Sequence, residues 1–166
     1  MSSQVAREPY VLIADKGLDA GVARLTDEKI AKVIGAVLEA EGGARLKAYV
    51  DTCAHCGLCS EACHFFHSHD RDPRYSPVGK VRQTMWEILD KGGNVSPEFI
   101  GRASRVAYTE CNLCKRCAMY CPFGIDIAYV IGVMRRICHK LGVTPQYIQD
   151  TAPSHSATLN QMWVKE

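Results

Sequence analysis

Apolar residues recur at helical spacing along several stretches of this chain, and clusters of polar residues, glycine and proline separate them. Ile30, Val33, Ile34, Val37 and Leu38 share one helical face. Ahead of them Thr26 can serve as the N-cap, and Asp27 and Glu28 suit the positive end of the helix dipole. Gly42-Gly43 provides the stop. ARLKAYVDT, residues 44–52, continues as a short helix. Val81, Met85, Ile88 and Leu89 mark a second amphipathic helix, capped by Ser76, opened by Pro77 and ended by Gly92-Gly93 after Lys91. Ser96-Pro97 repeats that start signal for PEFIGRASRVAY. Ile127, Val130, Ile131, Met134 and Ile137 then place a last core helix over 126–141.

Other segments are less regular. FFHSHDRDPRYS reads as a loop from its Ser, Asp and Pro content. Residues 1–24 show no clear period, and YVLIA (Tyr10–Ala14) is the one strand signal. Beyond residue 141, TPQYIQD is a short helical candidate, followed by polar coil that ends in LNQMWVKE. The pattern predicts an all-α protein with an N-terminal extension (1–25), a helical domain (26–141) and a C-terminal tail (142–166). Leu159, Met162 and Trp163 of that tail have too few apolar neighbours for a core of their own, so the tail is expected to contact a partner.

Composition narrows the function classes. A length of 166 residues with 47% hydrophobic and 23% charged side chains describes an ordinary soluble protein of one domain, not a disordered chain. A net charge of +2 without a basic stripe argues against nucleic acid as a partner. The apolar run Ile127–Met134 falls well short of the roughly 20 residues that a membrane helix needs. No signal-peptide core stands near the start. The expected location is cytoplasmic, with membrane association only through a partner. Cysteine is the departure from the average: there are nine. Without an export signal and with an odd count, clustered thiols read as metal ligands rather than disulfides.

Eight of the nine fall in two runs, CAHCGLCSEACH (Cys53, Cys56, Cys59, Cys63) and CNLCKRCAMYCP (Cys111, Cys114, Cys117, Cys121). Both have the spacing C-x₂-C-x₂-C-x₃-C that holds four-iron four-sulfur clusters. Three thiolates at steps of three wrap one cubane, and the extra residue before the fourth turns it away. In two-cluster ferredoxins that fourth cysteine serves the other cluster. The expected wiring is therefore crossed: Cys53, Cys56, Cys59 and Cys121 on one cluster, Cys111, Cys114, Cys117 and Cys63 on the other. Zinc would rather use two C-x₂₋₄-C pairs across a longer spacer. Pro122 turns the chain away after the second run, whereas the first run has His64 there, expected beside the cluster without ligating it. His67 and His69 could pair on a metal but fit a solvated or partner-facing loop. Cys138, at helical spacing with Met134 and Leu141, fits a small buried hydrophobe.

Two such runs embedded in helices resemble the α-helical ferredoxin family, and in particular the C subunit of heterodisulfide reductase and its relatives. The likeness runs over Ala48–Leu141 and includes PVGKVRQTMWEIL after the first run and IDIAYVIGVMRRI after the second. CGLCSEACHFFHSHDRDPRYSPVGKV also resembles the iron–sulfur part of the sulfite-reduction-associated membrane complex, where His can follow the fourth cysteine. The resemblance implies an electron-relay subunit with two 4Fe-4S clusters. Its partners would be a CCG-domain, disulfide-reducing subunit and a flavoprotein or membrane haem subunit. No CCG tripeptide, phosphate loop or nucleophile–base pair is evident, so no substrate chemistry is expected of the chain alone. The alternatives are the iron–sulfur subunit of a quinone-linked dehydrogenase, a cluster-based redox sensor and a zinc-bound interaction module.

Overall fold

Four side-chain caps start the long core helices. The hydroxyl of Thr26 accepts from the Lys29 N–H (3.3 Å), Ser76 from Gly79 (3.0 Å), Ser96 from Phe99 (3.2 Å) and the Asp126 carboxylate from Tyr129 (2.9 Å). The computed structural model describes residues 14–158, and among them every regular element is helical. In order these are α1 (Lys16–Val22), α2 (Asp27–Ala40), α3 (Gly43–Thr52), α4 (Leu58–Glu61) and α5 (His64–Ser68). A 3-10 turn at Pro73–Tyr75 leads into α6 (Pro77–Val81), which passes through a π turn at Arg82–Trp86 into α7 (Glu87–Asp90). Then come α8 (Pro97–Thr109), α9 (Arg116–Tyr120), α10 (Ile127–Leu141) and α11 (Gln146–Thr158).

The core forms around α10, which packs against α2, α8 and the continuous rod of residues 77–90. Ile131, Met134 and Ile137 of α10 are fully buried, as are Ile30 of α2, Ile100 of α8, and Met85 and Ile88 of the rod. Each such side chain contributes about 1.5–3 kcal/mol by leaving water. Polar ties fix the ends. The Tyr129 hydroxyl donates to the Glu41 carbonyl at the end of α2, and Arg136 pairs with the Glu41 carboxylate. Arg135 donates to the Ala107 carbonyl (2.8 Å) and to the carbonyl of Cys111, so α10 holds the start of the second cysteine run.

Three segments differ from the sequence pattern. The stretch expected to be a loop after Cys63 contains α5 and the 3-10 turn, because its rings stack: His69 lies on Tyr75 with centroids 3.7 Å apart. The tail expected to be coil after residue 150 stays helical through Pro153, whose fixed φ is itself helical. Within residues 1–25, α1 forms and buries Leu18 (2% exposed) against α8 and α11. That approach is close: a Cβ on Gly17 would meet the Gln146 nitrogen at 2.8 Å. The YVLIA signal up to residue 13 and the apolar residues Leu159, Met162 and Trp163 lie outside the described residues.

Asp15 joins the two ends. Its Oδ1 accepts from the N–H groups of Gly17 (3.0 Å), Leu18 (3.0 Å) and Gln146 (3.0 Å), capping α1 and α11 together. Replacing Asp15 with Ala is expected to cost about 1–2 kcal/mol, felt at the ends of the chain. Hydrogen exchange should accelerate in α1 and α11 while α10 keeps its protection and iron content is unchanged.

Candidate metal centre

The two cysteine runs share one backbone course. In the first, His55 (φ 54°) and Gly57 (φ 81°) take left-handed conformations. In the second, Leu113 (φ 57°) and Lys115 (φ 62°) do so at the matching positions. Such a conformation costs a residue with a Cβ about 1–3 kcal/mol, so three of these four positions hold strain that an ordinary loop would relax. The strain bends each run into a cup. In the second cup the Leu113 N–H points at Cys111 Sγ, 3.5 Å away. Short helices α4 and α9 continue the two cups and pack on each other.

Each cup faces a cavity, and the thiols line the cavities crosswise. Cys53, Cys56 and Cys59 line one together with Cys121 from the other run, and Pro122 closes its edge. Cys111, Cys114 and Cys117 line the second together with Cys63, and His64 stands at its edge. Ile127 at the start of α10 borders both. A close approach supports the position of Cys63: a Cβ on Gly79 would meet the Pro73 carbonyl at 2.1 Å. The glycine lets the 3-10 turn lie against α6, and the Tyr75 carbonyl of that turn reaches 3.8 Å from Cys63 Sγ.

The electrostatics suit thiolates neutralised by bound cations. Burial pushes the Cys117 thiol up to about 12, with the charges of Cys111 and Cys59 adding to it. Cys59 is also pushed up, first by burial and then by Cys53 and Cys121, against hydrogen bonds from Ser60 and the Val78 backbone. Among the described residues no three His, Cys, Asp or Glu side chains converge closely enough to hold a single metal ion. Four soft donors spread round each cavity fit a multi-iron cluster, with iron ligated by thiolate at every corner. His67 is exposed and meets the Glu61 carbonyl (2.8 Å), while His69 stacks on Tyr75, so neither lines a thiol cavity. Cys138 lies apart from both cavities, fully buried in α10, and desolvation pushes its thiol to about 12.

Lys80 is the residue the sequence pattern did not single out. It is only 2% exposed, with Nζ 3.6 Å from Cys63 Sγ and 4.6 Å from the ring centroid of Phe65. A lysine between Val78 and Val81 in an amphipathic helix reads as solvent-facing. Only the fold shows that this one points at a thiol.

Residues 49–125 match the family model of the 4Fe-4S dicluster domain. The match covers just under half of the chain and takes in all eight clustered cysteines. It indicates two 4Fe-4S clusters, and the all-helical fold is the frame around them. Two curated proteins are similar beyond that domain. One is the Hdr-like menaquinol oxidoreductase iron-sulfur subunit 2 of Archaeoglobus fulgidus, 27% identical over 129 residues, which cover 70% of this chain and 23% of that protein. The other is the Hdr-like menaquinol oxidoreductase iron-sulfur subunit of Archaeoglobus profundus, 27% identical over 128 residues, with the same coverage of 70% and 23%. The chain thus matches under a quarter of the length of these relatives. No solved structure matches. No helix among the described residues is long and apolar enough to cross a membrane.

The ninth thiol provides a test of the site. Cys138→Ala is expected to leave iron content and cluster spectra unchanged, at a packing cost of about 1 kcal/mol. In the intact protein near neutral pH, Cys138 should resist alkylation, as mass spectrometry after iodoacetamide treatment can check.

Proposed function

We propose that the chain is the iron–sulfur electron-transfer part of an Hdr-like oxidoreductase. Cys53, Cys56, Cys59 and Cys121 ligate one cluster, and Cys111, Cys114, Cys117 and Cys63 ligate the other. The observation that carries this reading is the crosswise lining of two neighbouring cavities by one thiol ring each, with Ile127 bordering both. When bound, each cluster supplies a one-electron carrier. The protein's part is to set distance, surroundings and access. The aliphatic side chains of Val78, Ile125 and Ile127 keep water from the inner side of the first ring. Cys56 and Cys114 are the exposed thiols, so each ring has one edge toward a redox partner. His64 and Pro122, at matching positions, border the rings without adding a needed ligand.

The relatives are named as subunits of menaquinol oxidoreductases, and this supports a partner that oxidises a quinol or another membrane donor through haem or flavin. A CCG-domain, disulfide-reducing subunit is the proposed acceptor. Reaching the membrane through such a partner, from the cytoplasmic side, suits a chain whose described helices are too short to span it.

Protein purified without oxygen should contain four irons and four acid-labile sulfides for each of the two clusters of the dicluster domain. Folded protein with stoichiometric zinc and no iron would overturn the reading. His64→Ala should keep that iron content while shifting the reduction potential of one cluster. Loss of a whole cluster in this variant would make His64 a ligand.

A further inference from the structure

The two thiol rings have different electrical surroundings. Val78, Ile125, Ile127, Phe123 and His55 border the ring of Cys53, Cys56, Cys59 and Cys121, and among the described residues no lysine, arginine or carboxylate lines that cavity. By contrast, Lys80, Lys115 and Arg116 border the ring of Cys63, Cys111, Cys114 and Cys117. These three cations do not weigh equally. Lys115 is 68% exposed and pairs with Asp126 at 3.5 Å, and Arg116 is exposed, so water and salt screen both. Lys80 is buried, 3.6 Å from Cys63 Sγ, out of reach of screening by bulk water and salt.

The local structure holds Lys80 in that position. Its ammonium lies over the Phe65 ring, and its own carbonyl accepts from the Thr84 hydroxyl (2.7 Å) inside the π turn that follows. π turns inside α-helices are rare and often mark functional sites. Thr84 and Met85 are fully buried, which anchors this turn in the core. Among the described residues that line the other ring there is no such cation, and the side chains there from the starts of α6 and α10 are Val78 and Ile127.

We infer that Lys80 orders the two clusters. Its buried ammonium stabilises the additional negative charge of the reduced state at the ring of Cys63, Cys111, Cys114 and Cys117. That ring consequently has the higher reduction potential, because net charge and hydrogen bonds to the sulfurs set the potential of such a cluster. With both clusters bound, an electron on the ring of Cys53, Cys56, Cys59 and Cys121 would pass downhill to the Lys80 ring, Ile127 bordering both. The first cluster is oxidised by one electron and the second reduced by one, with no bond made or broken. Glu110, nine-tenths buried and within the field of Lys80, tempers this effect: desolvation raises its pKa, and Lys80, His69 and Arg74 draw it back down. The inference rests on the ligation proposed above.

The experiment is a redox titration of anaerobic, iron-loaded protein, with both clusters followed by paramagnetic resonance. Cys56→Ser and Cys114→Ser assign the two signals, since each alters a ligand of one ring. In Lys80→Met the midpoint of the signal assigned through Cys114 should fall, and the other should stay where it is. Lys80→Arg should restore most of the difference. If Lys80→Met folds poorly, Lys80→Met with Glu110→Gln also removes the buried carboxylate beside it, and compared with Glu110→Gln alone it should give the same one-sided fall. Full iron content with both midpoints unmoved, or both shifted alike, overturns the role of Lys80 while leaving the ligation intact. Wild-type protein without two clusters would overturn the ligation reading itself.

Discussion

The exchange of Cys63 and Cys121 between the two runs is the constraint on which the rest of this structure depends. Each run supplies three thiols to its own cavity and sends its fourth to the other. Neither cup is complete without the second half of the domain, so α4 and α9 must pack together and the chain between them must return to the same place. Residues 64–110 make that return through α5, the 77–90 rod and α8, and α10 passes beneath as the common floor. Strain at His55, Leu113 and Lys115 persists because the closed arrangement over-determines it.

From this constraint follows a division of labour. The long helices bury aliphatic side chains and provide stability, whereas the short cups provide ligands and little else. Asp15 ties the chain ends to the core at a distance from both cavities, so stability at the ends and chemistry at the cups can vary separately. Near the cavities the two halves diverge: one ring is lined by aliphatic and aromatic groups, the other by a buried ammonium as well. A duplicated motif thereby gives two unequal sites within one core.

Much of this was legible in the sequence because it was local. The caps at Thr26, Ser76 and Ser96 sit directly before their helices, and the thiol spacing is a matter of a dozen residues. What was not legible depends on partners far along the chain. Residues 64–75 look like loop until His69 stacks on Tyr75, and α1 looks patternless until Asp15 meets Gln146. Helix α11 looks finished at Asp150, three residues ahead of Pro153, because proline breaks more helices than it continues. Lys80 looks solvated because a lysine normally is, and its burial depends on Phe65 and Cys63 arriving above it.

In the proposed wiring the fourth cysteine of each run serves the cluster of the other. Paramagnetic resonance of reduced Cys63→Ala protein, purified without oxygen and compared with Cys121→Ala, tests it most directly. The crossed account predicts that Cys63→Ala loses or alters the signal that also responds to changes at Cys111, Cys114 and Cys117, and that Cys121→Ala does the reverse. Damage in Cys63→Ala confined to the cluster of Cys53, Cys56 and Cys59 would contradict it and return each run to its own iron.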